Sequence, residues 1–328
     1  MADVATKYLG LELPSPLVLA SSSLSNRVEA LEAAEGHGAG AVVLRSLFEE
    51  QIESAQTALD LELERGQDTN PEGRTYFPPQ RVGPHEYVSL IERAKRALRI
   101  PVIASLNCAD TGSWSGYARD IERAGADALE VNIYSVEADP ALRAEEIEWR
   151  HVSIVESIRA AVKIPIAVKL SPYYTSVANM AARMEQAGAQ GIVLFNRFLQ
   201  PDISLEKLAP QLGMNLSTPA ETLLPLRWIA LLHGRLKADL ASSTGIHDAQ
   251  GAAKHLLAGA TVVQLASTLV KNGVPHLGRI RAELEAWMDK RGYSTLDDLR
   301  GTLSQRQVTD PAAFERAQYV QLILSQNG

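Results

Sequence analysis

Lys169 closes the run Lys163-Ile164-Pro165-Ile166-Ala167-Val168-Lys169, just before Leu170-Ser171-Pro172. An apolar run of this length between turn signals reads as a strand buried on both faces. A lysine is almost never fully buried without a partner, so Lys169 needs an anion or an electron-rich group at the strand's end. The alternative is a lysine that reaches past the strand into water or meets a carboxylate. Other polar residues close similar runs: Ala20 and Ser21; Arg45 and Ser46; Ser105 and Asn107; Asn132; Asn196 and Arg197; Ser243, Thr244 and Gly245; Ala266, Ser267 and Thr268. Hydroxyls, amides and three cations, with Glu130 the one nearby carboxylate, suit a flat, electron-rich heterocycle that carries an anionic group. The set lacks the paired carboxylates of a glycosidase and the His/Asp ring of a metallohydrolase. No metal site is expected.

A repeat supplies the elements that position these residues. Gly38-Ala39-Gly40-Ala41-Val42-Val43-Leu44 is echoed by Ala124-Gly125-Ala126-Asp127-Ala128-Leu129-Glu130-Val131. It returns as Ala187-Gly188-Ala189-Gln190-Gly191-Ile192-Val193-Leu194 and as Ala258-Gly259-Ala260-Thr261-Val262-Val263-Gln264-Leu265. Each copy follows an amphipathic stretch, so the glycine is placed to end a helix in a left-handed conformation, with a strand after it. In Arg99-Ile100-Pro101-Val102-Ile103-Ala104-Ser105 and in the Lys169 run, a proline opens the strand, where its missing N–H costs least.

Eight strands follow: 17–21, 41–46, 101–107, 127–132, 165–170, 190–196, 238–243 and 260–266. Strand–helix alternation eight times over predicts an α/β fold, a parallel (β/α)8 TIM barrel. A doubly wound open sheet is the competitor. It would need a glycine-rich turn after the first strand, which instead leads into Ser21-Ser22-Ser23-Leu24-Ser25. Residues 1–15 predict an N-terminal hairpin closing the barrel's bottom. Residues 47–86 form a long insertion between strands two and three, and residues 288–328 a C-terminal helical extension. With no linker visible, residues 1–328 are expected to form a single domain.

The chain has 328 residues, 46% of them hydrophobic, and a net charge of −7. That balance gives no general affinity for nucleic acid or an anionic membrane. No apolar run approaches the ~20 residues needed to span a bilayer, and Met1-Ala2-Asp3-Val4 lacks the features of a signal peptide. Cytoplasm is the expected location. Cys108 is the single cysteine, which excludes an intramolecular disulfide or an all-cysteine iron–sulfur site within the chain. The seven histidines are scattered and read as surface or structural residues.

Phosphate sites in such barrels lie after strands seven and eight, on backbone N–H groups at a helix N-terminus. Ser242-Ser243-Thr244-Gly245 and Ala266-Ser267-Thr268 occupy those places, although Ser and Thr are also ordinary caps. With these loops, Ala20-Ser21-Ser22, Glu130-Val131-Asn132, Val168-Lys169-Leu170-Ser171-Pro172, Asn196 and the tail Gly292-Tyr293-Ser294-Thr295-Leu296-Asp297-Asp298-Leu299-Arg300-Gly301, the chain resembles the dihydroorotate dehydrogenase family over nearly its whole length.

The resemblance implies FMN as cofactor on a (β/α)8 barrel. It assigns Lys169 to the flavin ring near N1 and O2, and Asn107 and Asn132 to amides near ring and substrate. Gly245, Ala266, Ser267 and Thr268 fall in the phosphate region, with Ala20, Ser21, Ser46, Ser243 and Thr244 completing the cofactor set. Arg45, Asn107, Asn132, Asn196 and Arg197 are the expected substrate ligands. The family pattern Asn-x-Ser-(Cys or Ser)-Pro-Asn becomes Asn132-Ile133-Tyr134-Ser135-Val136-Glu137, which puts Ser135 at the position of the catalytic base. A serine hydroxyl needs a neighbour or a water relay to take the proton onward.

Three departures bear on substrate. Glu137 replaces an amide, Arg197 a serine and Arg45 a lysine, and the family's substrate-gripping loop is not recognisable in residues 60–85. Arg197 is expected either to pair with Glu137 or to offer a free fork to a carboxylate. A glutamate introduced at Gly245 is expected to expel the phosphate. The expected partners are a small-molecule substrate, an electron acceptor (protein or small molecule) and a second copy in a homodimer. The N-terminal helical extension of the family's membrane-attached branch is absent, which disfavours quinone use. The expected activity is oxidation of dihydroorotate or a related dihydropyrimidine. A Schiff-base aldolase or lyase using Lys169, and a non-catalytic flavin-binding subunit, remain alternatives.

Overall fold

Each copy of the repeated glycine phrase ends a helix and launches a strand. Gly38, Gly125, Gly188 and Gly259 have φ of +88°, +93°, +105° and +118°, a region that side chains with a Cβ rarely adopt. In three copies a glutamate three residues earlier adds a second function. Glu35 Oε1 accepts from the Arg99 and Ile100 N–H groups at 2.7 and 2.9 Å. Glu122 Oε1 accepts from Lys163 and Ile164 at 2.7 and 3.0 Å, and Glu185 Oε1 from Lys237 and Ala238 at 2.5 and 2.6 Å. Each carboxylate thus ties the end of its helix to the entry of the strand after the one that helix leads into. The fourth copy has Leu256 at that position, and the C-terminal extension docks there instead: Gly301 N–H donates to Leu256 O at 3.0 Å and Leu303 N–H to Leu257 O at 2.9 Å.

The computed structural model describes residues 2–48, 84–108, 114–197, 200–211, 213, 215–315 and 317–325. Its barrel strands, numbered 1 to 8 below, are Leu17–Leu19, Ala41–Val43, Val102–Cys108, Ala128–Ile133, Ile166–Leu170, Gly191–Leu194, Asp239–Ser243 and Val262–Leu265. All neighbours pair in parallel, and the ring closes through strands 8 and 1. The fold is a (β/α)8 barrel. Strand 2 stops at Val43, and the chain re-enters as Leu47–Phe48 alongside Leu106 and Asn107 of strand 3. The polar loop and substrate-gripping loop sought in residues 60–85 lie almost wholly outside the described residues.

Two apolar layers hold the barrel. Inside it, small and branched side chains such as Val18, Ala41, Ala128, Ala167 and Val262 pack with Tyr8, Leu9 and Leu13. Those last three come from the hairpin Thr6–Tyr8/Leu11–Leu13, whose Leu9 N–H donates to Asp239 Oδ2 at 2.7 Å at the start of strand 7. The larger layer lies between strands and helices and includes Leu17, Val42, Val102, Leu129, Ile166 and Ile192. A second hairpin, Asp202–Ser204/Ala209–Gln211, has no counterpart in the sequence reading and interrupts the repeat after strand 6. Beyond the barrel come the helix His276–Arg291, a short helical turn Leu296–Leu299 and the helix Ala317–Ser325. Among the described residues no helix is long and apolar enough to cross a membrane.

Candidate active site

Parallel register brings the polar strand ends to one height. Asn107 pairs with Asn132 across strands 3 and 4, and Asn132 with Lys169 across strands 4 and 5. They open onto a cavity of about 550 Å3 at the C-terminal face, where active sites of this fold lie and large enough for a drug-sized ligand. Ala20, Ser21, Arg45, Ser46, Asn107, Asn132, Lys169, Asn196, Arg197, Ser243, Thr244, Gly245, Ala266 and Ser267 all line it.

Lys169 is 7% exposed and its ammonium is held from one side. Glu130 Oε1 lies 3.7 Å from Nζ, and Gln264 bridges the pair. The Gln264 amide donates to Glu130 Oε2 at 2.5 Å and accepts from Lys169 Nζ at 3.3 Å. A carboxylate can only accept and an ammonium only donate, so this amide orientation is the one that satisfies both. Glu130 Oε1 has no hydrogen-bond donor. Its buried charge therefore depends on Lys169.

Around the lysine the cavity is amide and hydroxyl. Asn196 Nδ2 donates to Asn132 Oδ1 at 2.7 Å. Ser21, Ser46 and Ser105 form a hydroxyl chain with spacings of 3.2 and 2.8 Å. At the other end, Thr244 and Gly245 both have positive φ, +81° and +76°. Ser217 ties the two loops together: its N–H donates to Ser267 Oγ at 3.0 Å, and its Oγ accepts from Gly245 N–H at 3.4 Å. The side of Gly245 that would carry a Cβ faces the Glu221–Thr222 backbone. A Cβ there would collide with the Thr222 and Glu221 backbone, 2.7 Å from Thr222 Cα. A glutamate at 245 would thus displace the chain before its charge met any phosphate, and that expectation is corrected.

Arg197 takes neither of its expected roles. Its Nε donates to Glu221 Oε1 at 2.8 Å and its Nη1 to Asn215 O. Burial pushes Glu221 up, but the hydrogen bonds from Arg197 and Thr218 outweigh it and leave the carboxyl below its usual range. Glu137 is bound at 2.9 Å by Arg150, and it does not line the cavity. Arg45 is the cavity-lining cation with no ion-pair partner among the described residues.

Two expected site residues stand back from the cavity. Thr268 is fully buried and donates to His247 O at 3.0 Å. Ser135 is half-buried beside Tyr134, which does line the cavity, and its Oγ lies 3.2 Å from His151 Nε2. The sequence reading missed Gln264, Tyr134, Phe195, Asn215 and Ser217. Gln264 had a signal, a lone amide inside the apolar strand Val262–Leu265. Asn215 and Ser217 lie between strands 6 and 7, outside any repeat copy, and had none.

These residues fit a flavin nucleotide. An ammonium reaches into the cavity from a strand end, amides flank it, and two small-residue loops tied by Ser217 stand at the opposite end. The comparisons agree. The family model for dihydroorotate dehydrogenase matches residues 3–288. The chain is 26% identical over 313 residues to the dihydroorotate dehydrogenase B (NAD(+)) catalytic subunit of Thermoplasma acidophilum, covering 92% of this chain and 99% of the relative. It is 28% identical over 300 residues to the corresponding subunit of Methanosarcina acetivorans, covering 89% and 93%. It is also 26% identical over 314 residues, covering 92% and 98%, to a candidate dihydroorotate dehydrogenase A (fumarate) of Solibacter usitatus. The chain belongs to the dihydroorotate dehydrogenase family, whose members are flavin-dependent oxidoreductases acting on CH–CH bonds.

Proposed function

We propose that the chain binds FMN and oxidises dihydroorotate, or a closely related dihydropyrimidine, in pyrimidine biosynthesis in the cytoplasm. The observation that carries this reading is Lys169, a buried ammonium fixed by Glu130 and Gln264 and opening onto an amide-lined cavity. Bound flavin would supply hydride-accepting chemistry at its N5. Lys169 would hold the negative charge that gathers near N1 and O2 on reduction, a preorganised contact in a dry site. Asn107, Asn132 and Asn196 would hold the edges of ring and substrate. The N–H groups around Thr244, Gly245 and Ser267 would hold the phosphate.

Substrate choice falls to Arg45. Arg197 is committed to Glu221 and Asn215, and Glu137 to Arg150. Arg45 therefore supplies the guanidinium fork for a substrate carboxylate, which favours dihydroorotate over an uncharged analogue. A lysine held by a carboxylate and an amide has the setting of a fixed cation rather than of a Schiff-base nucleophile. The electrons pass on to an acceptor, protein or small molecule; relatives carry NAD(+) and fumarate in their names. Exposed Ile203, Leu205 and Leu208 on the second hairpin offer a second copy a surface to cover as a homodimer.

The purified protein should be yellow and release FMN, identified by chromatography, at about one per chain. Loss of the reading would be a colourless protein that takes up no FMN, or a borohydride-trapped substrate on Lys169.

A further inference from the structure

We propose that His151 is the proton relay of this site: it orients Ser135 as the hydroxyl that takes the substrate proton, and it accepts the serine's own proton in turn. The inference rests on the dehydrogenase reading above and adds to it a residue that the sequence had left among the structural histidines.

Three segments assemble the relay. Ser135 lies just after strand 4, beside cavity-lining Tyr134. His151 sits in the following helix, Ala144–Ala161, on the face that buries Ile154, Val155 and Ile158. Tyr174 comes from the segment after strand 5. Ser135 Oγ is 3.2 Å from His151 Nε2, and His151 Nδ1 is 3.0 Å from the Tyr174 hydroxyl. The two rings meet edge to face at 5.8 Å between centroids. A nucleophile or base, a histidine and a third group that holds the histidine's far nitrogen is the arrangement that makes a serine hydroxyl useful at neutral pH.

The charges around the ring suit this task. A neutral imidazole has one donor and one acceptor nitrogen. With Nδ1–H donating to the Tyr174 oxygen, the Nε2 lone pair faces Ser135. Burial pushes His151 down to about 4, so the accepting form prevails at neutral pH; Glu137 works against that shift and Arg150 with it. Glu137 and Arg150 pair with each other beside the ring, and Glu148, which faces Tyr174, pairs with Arg183 at 2.7 Å. Burial, with Glu148 adding to it, pushes the Tyr174 hydroxyl up and keeps it a phenol. Glu137, which stands where the family has an amide, thus faces the relay rather than the substrate, and its carboxylate favours the imidazolium that forms.

The step balances. The substrate C–H next to the carbonyl breaks, its proton forms a bond to Ser135 Oγ, and its electron pair becomes the new C=C bond. Bound flavin would supply the acceptor for the hydride of the adjacent carbon. The serine's original proton forms a bond to His151 Nε2 and passes from there to solvent.

A cysteine at position 135 reads the relay without flavin or substrate. Cys108 is fully buried, so iodoacetamide modification reports on the new thiol. A histidine partner draws off the thiol proton and raises the thiolate fraction. At pH 7, Ser135→Cys should be alkylated about tenfold faster than Ser135→Cys/His151→Gln, because glutamine can accept a hydrogen bond but cannot take the proton. Tyr174→Phe on the same background, which leaves the histidine in place but removes the partner of its Nδ1, should fall between them. In the flavin-loaded protein, His151→Gln should keep its cofactor spectrum while substrate reduces it about a hundredfold more slowly. Equal alkylation rates with and without His151 would overturn the proposal. So would a thiol that is not alkylated in any variant, since residue 135 would then be closed to the cavity. Neither result bears on whether the protein is a flavin-dependent dehydrogenase.

Discussion

Lys169 Nζ and Glu130 Oε1 face each other at 3.7 Å on adjacent strands, and Gln264 reaches from strand 8 to touch both. The cation presented to the cavity is therefore one end of a buried ion pair. Part of its field is spent on Glu130, whose second oxygen has no other donor. Removing one partner of such a pair typically costs about 3–5 kcal/mol, because the other charge is stranded.

Lys169→Met should accordingly do two things that can be separated. It should lower the flavin's reduction potential and slow reduction by roughly a hundredfold, and it should lower the denaturation midpoint. Adding Glu130→Gln should restore much of the stability while leaving the potential low. Potentiometry and urea melts on both variants decide this, and a potential equal to the parent's would return Lys169 to a structural role.

The phosphate end needs a probe that leaves the backbone alone. Ser267 lines the cavity, and its Oγ accepts the Ser217 N–H, a bond an aspartate can keep. Ser267→Asp should leave the circular dichroism spectrum unchanged while weakening FMN retention at least about tenfold, or ~1.4 kcal/mol. Full retention would move the phosphate elsewhere.

How much of this was legible beforehand divides along physical lines. The four left-handed glycines and the apolar strands announce themselves locally, so the barrel and the polar strand ends follow from composition and spacing. What a long side chain does at a strand end is not local. Arg197 looks free in the sequence because Glu221 is 24 residues away and reaches it only through the fold. Ser135 and His151 are 16 residues apart, in a loop and a helix with different periodicities. The paired glutamate contacts were missed for the same reason, since each joins segments 41 to 65 residues apart.

Those contacts carry a prediction of their own. Glu122→Ala strips two N–H groups at the entry to strand 5 of their charged acceptor. The loss should be about 1–3 kcal/mol in urea unfolding, with Glu122→Gln, which keeps one acceptor oxygen, losing less. An unchanged midpoint in Glu122→Ala would show that water replaces the carboxylate freely.

His255 sets an acid limit. Its Nδ1 and Nε2 lie 2.7 Å from Ser242 Oγ and Thr222 Oγ1, and burial, with Lys254 adding to it, pushes it down to about 3. The folded state keeps it neutral where the unfolded chain binds a proton, so its contribution is constant above about pH 6.5 and stability falls below that. By pH 5 the loss from this group should be about 2 kcal/mol. Urea melts at pH 7.5 and pH 5 should show it, and His255→Gln should flatten the dependence. A parent protein equally stable at both values would contradict the assignment.

The most direct measurement is anaerobic reduction of the FMN-loaded protein, followed at the flavin absorbance band, with dihydroorotate and with its decarboxylated analogue dihydrouracil. The expected result is rapid bleaching by dihydroorotate and slow bleaching by dihydrouracil. Arg45→Gln should weaken dihydroorotate alone, by the ~1.5–3 kcal/mol of a charge-assisted contact. Faster reduction by dihydrouracil would contradict the carboxylate site. No reduction by either would leave a flavoprotein without this chemistry.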